Sequence, residues 1–317
     1  MYLLNNEVMI EIIKKKIAKT EGKTMTIFGC GYIGSTLARL ALNAGMSVAA
    51  LTRNCKTAGF LRELGVNPVV EAELDSRIWH EKLNPRQDFV LNCVSSGGGG
   101  LAAYHKSYFN GQSSILKWAN EGKVDTFVFT SSTSVYPQFG GNWIDESFAH
   151  EEVSKKGKIL LDTEHLLTTN LGGIGRYFIL RLAGIYGPGR HHLLDQLRKG
   201  SIKVEDCVNR YLNFIHRDDV CSAIYACFFA PKKIENQIFN VADNKPELKK
   251  NLLYWLGGKI EESSHTYPLL KAMKNQLIET KMSKVLPNRK ISNKKIKSML
   301  GWGLTYPTYK EGYQTIL

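Results

Sequence analysis

A short β-rich run followed by a turn with three spaced glycines is the feature that most constrains this chain. Residues 25–28 form the run, Gly29-Cys30-Gly31-Tyr32-Ile33-Gly34 forms the turn, and residues 35–44 have helical spacing. A strand, a G-x-G-x-x-G turn and a helix in this order are the fingerprint of dinucleotide binding. The glycines permit the tight turn, the approach of a pyrophosphate and close helix–strand packing. We therefore predict a cofactor cradle formed by Gly29, Gly31, Tyr32, Ile33 and Gly34.

The residue after the second predicted strand bears on which dinucleotide is bound. Residues 46–51 form that strand, and Thr52-Arg53-Asn54 follow it. In folds of this kind an acidic residue about 20 residues after the glycines holds the ribose 2′-OH of NAD. Arg53 stands at that position, and an arginine suits a 2′-phosphate instead. We therefore expect NADP, with NAD as the alternative, unless Arg53 is only a solvated loop residue.

Three further strand-like runs, at residues 67–72, 88–94 and 125–131, alternate with helical segments. This alternation predicts an α/β fold, a Rossmann-like doubly wound parallel sheet with helices on both faces. Ligands of such sheets bind at the carboxyl ends of the strands. We therefore expect Asp75 to meet an adenine ring and the end of the fourth strand to contact the cofactor, through Cys93, Val94 and Ser95.

The composition of the chain argues against several classes of protein. The chain has 317 residues, of which 43% are hydrophobic, and no apolar run reaches the ~18 residues of a membrane span. Its six cysteines show no metal-like spacing, which is typical of reduced thiols in a cytoplasmic protein. The net charge of +13 is spread over helix-like segments without interleaved aromatic residues, so we predict no nucleic-acid or membrane partner. Residues 1–24 are expected to be a helical or disordered extension.

Five sequence blocks resemble, in the same order, those of the extended short-chain dehydrogenase/reductases, the NAD(P)-dependent epimerase/dehydratase family. They are FVFTSSTSVYP at 127–137, YFILRLAGIYGPGR at 177–190, LNFIHRDDVCSAIYA at 212–226, IFNVADNKP at 238–246 and RKISNKKIKSMLGW at 289–302.

The resemblance implies a dinucleotide-binding domain over residues 25–187, with its sheet completed by segments near 212–245. It also implies a smaller C-terminal α+β lobe, mainly residues 188–317, that binds a small-molecule substrate such as a sugar nucleotide in the cleft between the lobes. A homodimer is the assembly that the resemblance suggests.

The chemistry of that family uses a serine or threonine, a tyrosine and a lysine. The tyrosine, with its pKa lowered by the lysine and the nicotinamide charge, moves a proton at the substrate hydroxyl, and the serine polarises the reacting oxygen. By the resemblance Ser132, four residues before Tyr136, matches the family's serine. The Tyr-x-x-x-Lys motif is missing, because no tyrosine lies between Tyr136 and Tyr177. Such a loss resembles an atypical subgroup of the family.

Two registers of the missing motif stay open. In the first, Lys158 is the family's lysine, an acid follows four residues later, and Ser154 takes the place of the tyrosine. In the second, Glu164 is the downstream acid, and the pair becomes Lys156 and Leu160. The first register makes Lys158 and Ser154 candidate catalytic residues.

A compensating tyrosine is available on the helix after the fourth strand. Members of the family usually carry Asn-x-x-Gly-Thr there, facing the active site, and the matching run Tyr108-Phe109-Asn110-Gly111-Gln112 puts Tyr108 in place of the asparagine. We hypothesise that Tyr108, with Lys158, supplies the missing acid/base, and Tyr104, one turn earlier, is the second choice. The alternative is that Tyr108 is a packing aromatic.

Two functional classes follow. The first is an NAD(P)-dependent oxidoreductase or epimerase that acts on a sugar nucleotide or a similar polar substrate, with Ser132 and Lys158 central. The second is a dinucleotide-binding protein without turnover, a redox sensor or scaffold, because the usual tyrosine is absent. A tyrosine within reach of Ser132 would favour the enzyme.

Overall fold

A computed structural model of the chain describes residues 20–148, 151–201, 210–264 and 287–317. Most of the predicted N-terminal extension, residues 1–19, lies outside the described residues, as does Cys207. The described part opens with a turn at 20–22, and the first strand begins at Thr24.

Thirteen strands occur among the described residues. They are β1 (Thr24–Phe28), β2 (Ser47–Thr52), β3 (Val69–Glu71), β4 (Arg86–Asn92), β5 (Lys123–Ser132), β6 (Asn142–Ile144), β7 (Ile174–Leu182), β8 (Gly184–Tyr186), β9 (Tyr211–Leu212), β10 (Phe214–His216), β11 (Gln237–Val241), β12 (Glu247–Leu248) and β13 (Arg289–Ile291).

Seven of these strands form one parallel sheet in the order β11-β7-β5-β4-β1-β2-β3. The central strands are rich in β-branched and aromatic residues and are buried along most of their length, as expected where helices cover both faces of a parallel sheet. The crossover from β3 to β4 past β1 and β2 reverses the strand order, which brings the ends of β1 and β4 side by side. The sheet confirms the predicted Rossmann-like α/β fold.

The helices of the described residues alternate with these strands. They are α1 (Gly34–Asn43), α2 (Cys55–Glu63), α3 (Gly100–His105), α4 (Gly111–Asn120), α5 (Lys155–Thr169), α6 (His192–Arg198), α7 (Arg217–Phe228), α8 (Lys249–Ser264), α9 (Lys294–Leu300) and α10 (Tyr309–Gln314), with a π-helical turn at Lys106–Asn110 and 3₁₀ turns at His80–Lys82 and Thr133–Val135. Three helices begin with side-chain caps, which satisfy otherwise unpaired backbone N–H groups; the caps are Asn54, Ser154 and Thr308.

The chain forms two compact units that interleave along the sequence. The first comprises Met1–Val135, Ser154–Arg181 and Ala223–Ile238, and the second comprises Tyr136–Val153, Leu182–Ser222 and Phe239–Leu317.

Each unit has an aromatic core of its own. In the first, the ring of Phe28 lies 5.1 Å from Trp79 and 5.3 Å from Trp118, all fully buried. In the second, Tyr186 stacks on Tyr313 at 4.8 Å. Within the described ranges, no helix combines the length and the apolar character that crossing a membrane requires.

Candidate functional site

The glycine turn between β1 and α1 has the geometry that its sequence predicts. Gly29 has a φ of 92°, and a Cβ on it would lie 2.6 Å from the Cα of Val94. A Cβ on Gly34 would lie 2.4 Å from the carbonyl oxygen of Gly29. A Cβ on Gly31 would meet no heavy atom within 4 Å. Two glycines therefore close the turn, and the middle one leaves space on the side where a ligand would approach.

The start of α1 presents its positive end at this turn. Ile33 is the N-cap residue, and its side chain makes no capping hydrogen bond. Tyr32 is half-buried, and its carbonyl oxygen accepts a hydrogen bond of 3.0 Å from Thr36 Oγ1. Uncapped N–H groups and the helix dipole favour an anion at this position, so a pyrophosphate fits here.

The end of β4 lies directly beside the turn. Cys93 donates from its backbone N to the carbonyl of Phe28 (2.9 Å) and from its Sγ to the carbonyl of Gly29 (3.0 Å). The amide of buried Asn92 accepts from the backbone N of Val94 at 3.2 Å, which fixes the chain as it leaves the strand. Ser95 follows and is exposed. Cys93 and Val94 are thus brought to the turn, although β4 ends earlier than expected, at Asn92.

Arg53 is exposed just after β2, and its guanidinium reaches the glycine-rich loop that follows β4. Its Nη2 donates to the carbonyl of Ser96 at 3.1 Å. A Cβ on Gly97 would lie 2.9 Å from the same nitrogen. The four glycines of this loop all have positive φ, between 64° and 109°, a backbone conformation that few other residues adopt. The loop therefore folds against Arg53 and holds the cation at the carboxyl ends of the strands.

Asp75 lies beyond β3 and belongs to an exposed cluster of charges. The Nζ of Lys106 is 3.8 Å from Asp75 and 3.3 Å from Glu73. These distances connect the segment after β3 with the start of the π-helical turn. The structure places Asp75 next to a second carboxylate, Glu73, which the sequence analysis did not single out.

Ser132 is the last residue of β5 and is half-buried. Its Oγ accepts a hydrogen bond of 3.1 Å from the backbone N of Ser134, in the 3₁₀ turn that follows. This hydrogen bond orients the Ser132 hydroxyl at the carboxyl end of the sheet, where ligands of such folds bind.

A buried ion pair anchors α5 to the sheet beside Ser132. Glu164 accepts two hydrogen bonds from the Nε of Arg181 at 3.2 Å and one from its Nη2 at 2.7 Å. The hydroxyl of Ser131 donates to the same carboxylate at 2.5 Å. The side chains of Glu164 and Arg181 are only 5% and 3% exposed. Because α5 is joined in this way to β5 and β7, its rotation about its own axis is fixed.

The first turns of α5 carry the two other predicted catalytic residues. Ser154 is the N-cap, and its Oγ accepts from the backbone N of Gly157 at 3.1 Å. The Nζ of Lys158 lies 2.6 Å from Asp162, one turn along the helix, and the lysine side chain is 65% exposed. Ser154 thus caps the helix, and Lys158 forms an ion pair along its surface.

Tyr108 lies in the π-helical turn, and its ring is 4.4 Å from that of Tyr104. The side chains of Tyr108 and Ser134 lie beside the Tyr104 hydroxyl and act to lower its pKa. Burial has the larger effect, and it raises the pKa of Tyr104 above its ordinary value. The Nζ of Lys156 lies 5.5 Å from the centre of the Tyr104 ring. We call Tyr104, Tyr108, Ser134 and Lys156 the tyrosine cluster.

Sequence reasoning missed two members of this cluster. Ser134 had no motif to mark it, and Lys156 appeared only in the second register of the missing motif. The four-residue spacing of Tyr104 and Tyr108, which puts two side chains on one face of a helix, was the available signal.

Comparisons with known proteins identify the family of this chain. The model of the NAD-dependent epimerase/dehydratase family matches residues 25–242. Protein YeeZ of Escherichia coli K12 is 33% identical over 225 residues, which are 69% of this chain and 77% of YeeZ.

Two solved structures share the fold over almost the whole chain. UDP-glucose 4-epimerase of Thermotoga maritima, determined with UDP-glucose, has a TM-score of 0.75 at 18% identity, and the match covers 92% of this chain and 96% of that one. UDP-glucuronic acid 4-epimerase of Bacillus cereus, in complex with NAD, has a TM-score of 0.71 at 19% identity, with the same coverage.

The family match begins in β1 and contains the glycine turn, the Arg53 loop, Ser132 and α5, so it includes each part of the site described above. The family model covers more than half of the chain, and the glycine turn lies within the matched residues. This chain therefore belongs to the NAD-dependent epimerase/dehydratase family.

Proposed function

We propose that the protein is an NAD(P)-dependent oxidoreductase or epimerase whose substrate is a sugar nucleotide. The observation that carries the proposal is the glycine turn, where a side chain is excluded at Gly29 and Gly34 and open space lies beside Gly31. The relatives described with UDP-sugars and NAD support the substrate class and the cofactor class.

The residues present fit a nicotinamide dinucleotide. Gly31 and the start of α1 would hold the pyrophosphate, Val94 would lie along the cofactor, and Asp75 would meet the adenine ring. When bound, the nicotinamide accepts a hydride from the substrate or returns one to it. Ser132 would donate a hydrogen bond to the reacting oxygen and polarise it.

Arg53 supports NADP over NAD. A guanidinium forms two or more charge-assisted hydrogen bonds with a phosphate, and an exposed arginine at the ribose position can turn toward one. We expect Arg53→Ala to weaken NADP⁺ binding by about 10- to 100-fold, as loss of one or two charged hydrogen bonds predicts. Binding of NAD⁺ should change by less than about threefold. Isothermal titration calorimetry of both dinucleotides measures the two effects.

Arg62→Ala is the matched control, because Arg62 is an exposed arginine of the same unit that pairs with Glu71 at 2.7 Å. It should leave both affinities unchanged. Equal losses for NAD⁺ and NADP⁺ in Arg53→Ala would contradict the 2′-phosphate role, and no binding of either by the wild-type chain would contradict the cofactor site itself.

The non-catalytic alternative requires a site without a group for proton transfer. The hydrogen bond between Ser132 and Ser134 and the contact of Ser134 with Tyr104 argue against it, because they bring a tyrosine hydroxyl into the neighbourhood of the predicted serine. The test is incubation with NADP⁺ or NAD⁺ and a panel of UDP-sugars, followed by the absorbance of reduced nicotinamide and by chromatography for epimers. Tight cofactor binding without turnover of any tested substrate would favour the alternative.

A further inference from the structure

We propose that Tyr104 is the group that exchanges a proton with the substrate hydroxyl, and that Lys156 is the cation that stabilises its deprotonated form. This proposal rests on the proposed function, because it assigns the proton transfer of that reaction to particular residues. It differs from the sequence-based hypothesis, which chose Tyr108 and Lys158.

A continuous set of contacts leads from Ser132 to Tyr104. The backbone N of Ser134 donates to the Ser132 hydroxyl at 3.1 Å, and the side chain of Ser134 lies beside the Tyr104 hydroxyl. Tyr104 is therefore one residue removed from the serine that would polarise the reacting oxygen. Tyr108 is the second neighbour of the same hydroxyl, and its ring lies 4.4 Å from that of Tyr104.

Packing against α5 holds Tyr104 in place. The helix α3 continues into the π-helical turn Lys106–Asn110, and both pack against α5. The 3₁₀ turn Thr133–Val135, which contains Ser134, packs against α5 as well. Two separate chain segments, 100–110 and 133–135, thus meet on one helix, and π-helical turns occur frequently at functional sites. Tyr104 is half-buried there, so its hydroxyl is partly shielded from water.

The burial of the acids on α5 bears on the register of the missing motif. Glu164 is the acid that is buried and paired with Arg181, whereas Asp162 is on the helix surface with Lys158. The buried acid favours the register that ends at Glu164. In that register Lys156 occupies the place of the family's tyrosine, and its Nζ lies over the Tyr104 ring.

In this arrangement the phenol and the cation have exchanged positions relative to the family pattern. In the family pattern the tyrosine and the lysine lie on one helix, whereas here the cation is on α5 and the phenol is on α3. A cation near a phenol favours the phenolate, and hydrogen bonds donated to the phenolate oxygen do the same. Tyr108 and Ser134 oppose the effect of burial, which raises the pKa of Tyr104. In the proposal Lys156, whose Nζ lies 5.5 Å from the centre of the Tyr104 ring, adds a positive charge that acts in the same direction.

The proton balance of the step is simple. When the substrate alcohol is oxidised, its O–H proton passes to the phenolate oxygen of Tyr104, and a carbonyl forms as the C–H bond gives its electron pair, as hydride, to NAD(P)⁺. In the reverse direction the neutral Tyr104 returns the proton to the carbonyl oxygen as the hydride returns to carbon. Ser132 donates a hydrogen bond to that oxygen in both directions.

The experiment measures the titration of Tyr104 and does not depend on bound cofactor. Tyrosine labelled with ¹³C at Cζ is incorporated, and the Tyr104 signal is assigned by its loss in Tyr104→Phe. We expect Lys156→Met to lower the proton dissociation constant of Tyr104 by about three- to tenfold, since removal of a nearby cation raises a phenol pKa. Lys156→Arg should retain most of the wild-type value. Lys155→Met, which removes the preceding exposed lysine of α5, is the matched control.

The second measurement is the rate of substrate oxidation as a function of pH. The phenolate is the base, so the rate rises as pH passes the pKa of Tyr104, and Lys156→Met should move this rise to higher pH. Tyr104→Phe should lower kcat by about 100-fold or more, the usual contribution of a positioned acid/base. Tyr108→Phe should cost about tenfold, because it removes only a hydrogen bond to the phenolate.

An unchanged Tyr104 titration in Lys156→Met would overturn the role of Lys156, and normal turnover by Tyr104→Phe would overturn the role of Tyr104. If Tyr108→Phe lost all turnover and Tyr104→Phe lost none, the sequence-based choice would be the correct one. Absence of dinucleotide binding in the wild-type chain would overturn the proposed function and the catalytic role with it. The titration would then still report whether Lys156 and Tyr104 are electrostatically coupled.

Discussion

The glycine turn and the first turns of α5 lie in the same unit but keep the family pattern to different degrees. The turn retains all three glycines, because a Cβ at Gly29 or Gly34 would lie 2.4 to 2.6 Å from backbone atoms. The start of α5 carries no tyrosine, while the buried Glu164–Arg181 pair that positions the helix is present. Backbone contacts prevent the replacement of a glycine in the turn by a larger residue, whereas a neighbouring helix can supply a hydroxyl group. Backbone packing therefore restricts the glycine turn more than the proposed proton-transfer group.

The largest effect is expected when a methyl group is added to the glycine turn, which tests whether backbone contacts restrict that turn. Gly29→Ala combines a positive φ with backbone overlap against Val94, so we expect a loss of about 3 kcal/mol or more in the free energy of unfolding. Dinucleotide binding should disappear with it. Denaturant unfolding and calorimetry measure the two effects.

Gly31→Ala is the matched variant, because a Cβ there meets open space. It should fold with wild-type stability, within about 0.5 kcal/mol, and yet bind dinucleotide at least tenfold more weakly. If Gly31→Ala bound the dinucleotide normally, the space beside Gly31 would not be the approach of the pyrophosphate.

The next largest effect should come from Glu164→Gln, which tests whether the ion pair fixes α5. Removing one partner leaves the buried Arg181 guanidinium without its counter-charge, and such losses cost about 3 to 5 kcal/mol. At roughly 2 to 4 °C per kcal/mol, the melting temperature should fall by about 10 °C. Differential scanning calorimetry measures it.

Glu63→Gln is the control for a lost carboxylate, since Glu63 is exposed at the end of α2. It should change the free energy of unfolding by less than about 0.5 kcal/mol. The double variant Glu164→Gln/Arg181→Met should lose less stability than the sum of the single variants, because both remove one interaction. Additive losses would mean that the two residues stabilise the fold independently.

The smallest effect is expected for Lys158→Met. The pair between Lys158 and Asp162 is a surface contact along one helix, and exposed pairs of this spacing contribute about 0.3 to 0.5 kcal/mol. The stability loss measured in denaturant should therefore stay within that range at low salt and disappear at high salt. A loss above about 2 kcal/mol would show that Lys158 has a role beyond the helix surface.

Much of the fold could be predicted because its signals are local. The predicted run at 125–131 is found as β5 at Lys123–Ser132, and the helix predicted from residue 35 begins at Gly34. Positions of strands follow from short runs of β-branched and aromatic residues, and the glycine turn is marked by its own spacing.

The arrangement of α5 could not be predicted in the same way. The segment around Lys156, Lys158 and Glu164 permits two registers, and its own hydrophobic pattern does not choose between them. The choice depends on Arg181 and Ser131, which are 17 and 33 residues away from Glu164. Ser134 and Tyr104 likewise meet only after folding, so the sequence marks the pair of tyrosines by their spacing but not their contact with Ser134.

The π-helical turn at Lys106–Asn110 sets the rotational phase of Tyr104. Such a turn holds one residue more than an α-helical turn, and one residue advances a helix by about 100°. The residues of α3, including Tyr104, are therefore rotated together relative to α4, while α4 keeps its packing against the sheet. The extra residue of the π-helical turn can thus direct Tyr104 toward Ser134 while the core beneath α4 keeps its packing.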